Sequence, residues 1–390
     1  MPALLAIGLM VSLPDWVTIA QAQGYYLAPE DAMARNANVL TTALANSQAI
    51  GMAIGKRTKS GGGATAGGFR IDGIRIGEVE LEGTFFADED SAAGGSATGQ
   101  LGGFLTAIGG FGDVDGELDY SNGGLIGGID YQFSEAMVGG LAINWINTNT
   151  NYAAPVGLDG GGSERDSYGA TFYTGYAVGD LSIDALFNYS FSDYTMTRFS
   201  NPGGGADKAT GANNSDEIFL SAGVSYDFEL AGVKLVPGVQ ANLVKVWMDS
   251  YTETGAPDTV DGGGNIVKNN ATYDAFDVTS FTTDIGGEAS YPIKAAAGLI
   301  TPRIYGFWVH EFQNDSQTLT GSTPLALAPG TGGGAFQVIL ASPDRNYMRI
   351  GAGVNMELQD GLEIYVDYES LLGFQGVSSH QFGVGGRFEF

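Results

Sequence analysis

Cysteine is absent from all 390 residues. That excludes disulfide staples and thiolate metal sites. Histidine is nearly absent, with only His310 and His380, and no G-x-S-x-G elbow occurs. A Ser-His-Asp triad therefore has few ways to form. Basic residues are few: 17 Lys and Arg against 44 Asp and Glu leave a net charge of −27. They are also scattered, whereas binding a phosphate backbone needs them clustered, so nucleic acid is excluded as a partner. No apolar run beyond the N-terminus approaches the roughly 20 residues of a spanning helix. Disorder is excluded too, because it combines few apolar residues with dense charge, and this chain is 44% apolar and 16% charged.

What the chain has is glycine, 62 of them, and alternation. In "HQFGVGGRFEF" Phe382, Val384, Phe388 and Phe390 share one parity, and Gln381, Arg387 and Glu389 share the other. In "LEIYVDYE" Leu362, Ile364, Val366 and Tyr368 oppose Glu363, Asp367 and Glu369. A period of two with apolar groups on one face describes a strand between two solvents. Twelve segments read this way: 101–113, 121–133, 137–152, 167–178, 181–198, 216–230, 233–250, 276–293, 298–314, 346–358, 361–374 and 378–390. An even number of long strands fits an outer-membrane barrel better than a soluble sandwich, whose strands are shorter and whose apolar face turns inward. Aromatics near strand ends (Trp145, Tyr152, Tyr168, Tyr176, Trp247, Tyr251, Tyr291, Trp308, Phe312) fit interfacial girdles, and His310 and His380 are read as girdle residues as well.

The even-numbered connections are short ("SEAM", "VGD", "AG", "IKAAA", "QDG"), and 199–215, 251–275 and 315–345 are long and polar. That asymmetry predicts both chain ends in the periplasm. The parity predicts a pore lined by Arg303, Arg349, Arg387, Asp184, Asp227, Glu357, Asp367 and Glu389, each arginine needing a partner in a narrow lumen. Such a lining reads either as a structural ion-pair ladder or as a selectivity filter. Asp113, Asp115, Glu117 and Asp119 could gather a divalent cation, but their spacing lacks the EF-hand glycine, so a solvated turn is the preferred reading. No cofactor, metal site or catalytic residue is expected.

Ahead of the barrel, 1–22 resembles a secretory signal, with an apolar core at Leu4–Leu13 and Ala20-Gln21-Ala22 as cleavage pattern. It has no basic residue before the core, so the true start is expected upstream; the alternative is a buried helix of the mature chain. Segment 23–58 is helical, with its helix over 29–57. Pro29, Glu30 and Asp31 open it, and Lys56 and Arg57 close it. Its Ala, Asn, Ser and Thr faces offer no large apolar stripe, which suits a polar pore. Segment 59–100 is a glycine-rich linker or vestigial passenger, and 101–390 is the barrel.

The segments "GFLTAIGGFGDVDG", "GGLIGGIDYQFSEAMVGGLAIN", "LSIDALFNYSFSDYTMTR", "LVPGVQANLV", "ITPRIYGFWVHEFQND", "SPDRNYMRIGAGV" and "GGRFEF" together resemble the autotransporter β-domain of Gram-negative outer membranes. The resemblance covers about residues 40–390 and implies a 12-stranded antiparallel transmembrane β-barrel, an all-β membrane protein with an N-terminal α-helix in its lumen. It implies type V secretion as the function, with little or no passenger here; a stand-alone outer-membrane protein with adhesin or interaction loops is the alternative. Implied partners are outer-membrane lipids, the barrel-assembly machinery, periplasmic chaperones and a host or cell-surface partner through the long loops. Self-cleaving members use Asn or Asp at the helix–barrel junction. No matching dipeptide lies within 29–57, and Asn213-Asn214 and Asn269-Asn270 fall in predicted outer loops, so no catalytic residue is carried over and the chain is not expected to be an enzyme.

The resemblance also implies that Phe382, Val384, Phe388 and Phe390 form the barrel-assembly signal. Phe390→Asp should impair membrane insertion while leaving synthesis intact. Heat-modifiable migration and surface labelling of the variant check this, and normal values for both would refute it.

Overall fold

In the computed structural model, the alternating segments become twelve long strands, each hydrogen-bonded antiparallel to its chain neighbours. They are β1 Leu101–Val114, β2 Leu118–Ser134, β3 Met137–Tyr152, β4 Gly162–Val178, β5 Leu181–Phe199, β6 Lys208–Tyr226, β7 Val233–Met248, β8 Phe276–Ser290, β9 Gly298–Glu311, β10 Asn346–Leu358, β11 Glu363–Leu372 and β12 Val377–Glu389. Short pieces, Phe228–Leu230 and Ile293–Ala295, prolong β6 and β8. The structure describes residues 39–59, 75–76, 79–80, 101–115, 117–152, 161–199, 208–256, 259–260, 266–267, 270–313, 318–323, 334–339, 344–358, 362–374 and 376–389. Phe390 lies outside them, as do 1–38, which include the start of the predicted helix and the proposed signal.

Strand β12 pairs with β1 from Val377↔Val114 to Glu389↔Gly102, which closes the sheet into a barrel. Closure removes both edges, the one arrangement by which a sheet satisfies its backbone in lipid. The outer face is apolar all round: Leu141, Phe172, Val224, Ile285, Ile304, Val366 and Val384 are exposed, and Phe382 and Phe388 share that face. Trp145, Tyr168, Tyr176, Trp247, Tyr291, Trp308 and Phe312 are also exposed, as girdle residues should be. Tyr152 and Tyr251 are corrections to that group. Tyr152 is buried beside Leu118 and Tyr120, and Tyr251 stacks on Tyr273.

Connections at one end are tight. Ala231 and Gly232 both have positive φ (53° and 83°), a primed turn whose twist matches the flanking strands. The opposite end carries the long connections. There the segments predicted as loops pair into a small external ladder: Tyr251–Thr252, Thr272–Tyr273, Thr318–Thr323 and Gly334–Ile339. Strands β2, β4 and β6 also begin earlier than predicted, at Leu118, Gly162 and Lys208. The reason is physical. Beyond the aromatic girdle both faces are polar, so hydrophobic alternation stops while backbone pairing continues. Asn213 and Asn214 accordingly stand in β6, not in an outer loop.

Inside, long side chains stand directly across from glycines of the next strand: Tyr305 from Gly351, Tyr365 from Gly385, Tyr173 from Gly140, Asp367 from Gly353 and Asp130 from Gly102. Each side chain lies in the space a Cβ on that glycine would fill. The wall is thereby flattened, and its centre is left open for a helix.

Gly351→Val would drive its side chain into the Tyr305 ring. Overpacking of this kind costs about 1–3 kcal/mol. The folded band of that variant should therefore be lost at lower temperature than that of wild type, whereas Gly334→Val, which meets nothing within 4 Å, should not shift it.

Candidate functional site: the helix-filled lumen

Helix α1, Val39–Lys59, runs inside the barrel. Its 21 residues extend about 32 Å at about 1.5 Å per residue, enough to cross an apolar band about 25 Å tall. Small residues make it slim: Ala43, Ala45, Ala49 and Ala53 are all buried. Val39, Ile50 and Ile54 supply its apolar grip, packed in one cluster with Phe104, Ile108, Ile126, Tyr173 and Phe219 of the wall. The helix leans on β12 and on β1–β8.

Its direction follows from two contacts. Ala45 clusters with Leu118, Tyr120 and Tyr152 at the long-loop end. Met52 lies against Gly383, halfway down β12, its methyl carbon 3.1 Å from where a Cβ would stand. The helix therefore descends from the loop end toward the turn end. Leu101 and Glu389 lie at the turn end, so the start of the described helix and the two ends of the barrel face opposite sides.

Beneath the upper helix is a buried ion pair. Arg165 Nη2 donates to Glu217 Oε2 at 2.6 Å, its Nε donates to Ser192 at 3.1 Å, and the guanidinium covers the Tyr194 ring. Ser47 of the helix reaches Glu217 at 3.4 Å. The sequence reading missed this pair because it began the fourth strand at 167; extending its parity two residues upstream puts Arg165 inward.

The opposite wall, β9–β11, carries two of the predicted arginines, Arg303 and Arg349, and Arg387 stands on β12. Arg303 bridges Glu288 (2.9 Å) and Asp367. Arg349 bridges Asp284 and Glu369, both at 2.8 Å, with Tyr305 donating to Glu369 at 3.1 Å. Arg387 pairs with Asp130 at 2.6 Å. Of the residues predicted to line the pore, Arg303 and Asp367 pair with each other; Asp284, Glu288, Glu369 and Asp130 were not singled out. Asp184 lies over Gly223, and Glu357 is half-buried beside Glu363. Asp227 sits at the turn-end rim, paired with Lys234 at 2.7 Å. The side chain of Glu389 is outside the described residues. Arg349 is 19% exposed against 2% for Arg165, so this wall stays wetter than the one that carries the helix.

At the loop end Arg198 Nε donates to Glu253 at 2.9 Å, and Glu253 also accepts from Tyr273 at 3.1 Å. Burial, then the Glu253 carboxylate, raises the Tyr273 hydroxyl well above its ordinary pKa, so it remains a donor. This trio ties the external ladder to β5. Asp113 accepts from Ser378, and Asp115 and Glu117 lie in the β1–β2 turn. No group of three or more acidic or histidine side chains suited to a metal occurs among the described residues. His310 bonds Asn346 at 2.9 Å between Trp308 and Phe312, and His380 bonds Tyr368 at 2.9 Å.

Arg165→Met would leave Glu217 buried without its cation, a loss of about 3–5 kcal/mol. The Arg165→Met/Glu217→Leu double variant should recover most of it. Urea midpoints of the detergent-solubilised barrel measure both, and equal losses would mean the pair is not coupled.

A family model described as the autotransporter beta-domain matches residues 103–369. The solved translocator domain of the autotransporter NalP from Neisseria meningitidis is similar with a TM-score of 0.54 at 13% identity, over 74% of this chain and 88% of that one. The β-domain of the Bordetella autotransporter BrkA is similar with a TM-score of 0.51 at 16% identity, over 75% of this chain and all 100% of that one. Curated protein sequences yield no match.

Proposed function

The chain belongs to the autotransporter β-domain family, and we propose from that premise that its lumen carries the segment ahead of α1 to the cell exterior. It is an outer-membrane translocator barrel of type V secretion, with a transporter fold. The observation that carries the proposal is the direction of α1, whose Val39 end stands at the long-loop end. With the long loops outside, the turn end, Leu101 and the C-terminal strand face the periplasm. The residues before α1 then emerge on the surface, which departs from the expectation of two periplasmic termini. Residues 59–100 serve as a linker from helix to β1, any passenger within the chain is small, and the chain has no enzymatic activity of its own.

The resting barrel is plugged. With α1 gone the lumen prefers cations, because Asp130, Glu217, Asp284, Glu288, Asp367 and Glu369 outnumber Arg165, Arg303, Arg349 and Arg387. Outer-membrane lipids contact the apolar band, and the assembly machinery and periplasmic chaperones act through the C-terminal strand. A second reading, a stand-alone protein presenting an interaction surface to a host or another cell, is favoured by the folded external ladder.

One experiment separates these readings and a second tests the plug. An epitope inserted between residues 22 and 39 should be accessible on intact cells under the first reading, as should tags in 200–207 and 324–330; tags at "SEAM" should not. A buried N-terminal epitope with accessible loops would favour the second. Deleting 39–59 should give a larger, steadier, cation-preferring conductance in planar bilayers, and unchanged conductance would mean that α1 is not the plug.

A further inference from the structure

One level of the wall is unlike the rest. Across successive strands, Glu369, Gln381, Gly110, Asn122, Thr148, Arg165, Tyr194 and Asn213 are direct register partners, an unbroken row from β11 through β12 to β6. The side chains face the lumen and are buried or nearly so. Glu369 Oε1, both amide atoms of Gln381 and of Asn122, Thr148 Oγ1, Arg165 Nη1 and Asn213 Nδ2 are buried with no hydrogen-bond partner. Tyr194 Oη is buried without a partner as well. The upper helix offers no remedy. Both amide atoms of Asn46 are themselves buried and unpartnered, Thr42 bonds back to its own helix at Val39, and Ser47 reaches the wall only at 3.4 Å.

Apolar contact flanks this level on both sides, through the smaller Val39, Ala43 and Ala45 on the upper turns and through isoleucines below. Ile50, Ala53 and Ile54 are almost fully buried against apolar wall residues. Gly51 lies between the two halves, where a helix is least stiff.

A buried polar atom without a partner is penalised because water would have satisfied it. At this level, seating the helix removes water from both surfaces and supplies almost no hydrogen bonds in exchange. We infer that this row is a release device: it keeps the upper turns of α1, Val39–Ser47, weakly seated, so that they leave the wall while Ile50 and Ile54 hold the lower turns. Moving the upper turns aside lets lumen water reach the orphaned groups beneath them. The row thus sets how often the plug opens from outside. The inference rests on α1 occupying the lumen, not on export of a passenger.

The absence of cysteine makes the test direct. Thr42→Cys, buried in the seated helix, places a single thiol on the upper turns, and a water-soluble maleimide labels it only when those turns leave the wall. Thr148→Val and Gln381→Met, which remove orphaned groups at similar volume, should slow labelling of full-length protein in proteoliposomes by roughly fivefold each. Ile50→Ala, which loosens the lower grip, should quicken it. Unchanged or faster labelling in Thr148→Val would overturn the inference, and so would failure of that near-isosteric variant to fold by heat-modifiable migration. Labelling as fast as that of a thiol at an exposed loop position in every variant would instead overturn the seated helix itself, leaving the export reading to its own epitope test.

Discussion

A sheet in hydrocarbon has nowhere to put an unpaired edge, and everything else in this molecule depends on the pairing of β12 with β1 that removes it. Closure fixes which side of each strand meets lipid, because a one-residue slip would turn every apolar side chain inward. It also fixes the circumference, and therefore the room available inside. The polar interior, the ion pairs and the helix are all accommodations to a space whose size was set by strand number and register.

That space is shared between two unlike walls. Strands β12 and β1–β8 carry the helix, through small residues and a few isoleucines, while β9–β11 carry arginines clamped between carboxylates. The clamps matter less for net stability than for geometry: each arginine spans strands and is held sideways along the wall, away from the axis. Glycines across from the long side chains do the same for tyrosines and aspartates. A barrel of this size thus contains a helix because its wall side chains lie flat, not because the ring is wide.

Much of this was legible in the sequence where one solvent boundary coincided with one parity. Leu362, Ile364 and Val366 against Glu363, Asp367 and Glu369 could be read directly, and so could the tight turns and the membrane-facing parity of the last strand. Legibility failed where both faces are polar. Arg165 and Asn213 lie beyond the girdle, where only parity carried past the last apolar residue marks them as inward, and the external ladder forms from residues that look like loop. Partner choice was also hidden: parity tells that Arg349 points inward, but only the register of β8 to β11 brings Asp284 and Glu369 to it. Helix direction was beyond reach for the same reason, since it is fixed by Ala45 and Met52 meeting different heights of the wall.

The pairing of several long inward residues with glycines across the strand boundary has a consequence for how such a chain can vary through descent. Residues 305 and 351, or 173 and 140, share one volume, so neither can enlarge unless the other shrinks in the same lineage. Inheritance would then treat each couple as a single character. The lumen-facing record of the family should change in linked steps, while the lipid-facing side, where such contacts are looser, drifts more nearly one residue at a time.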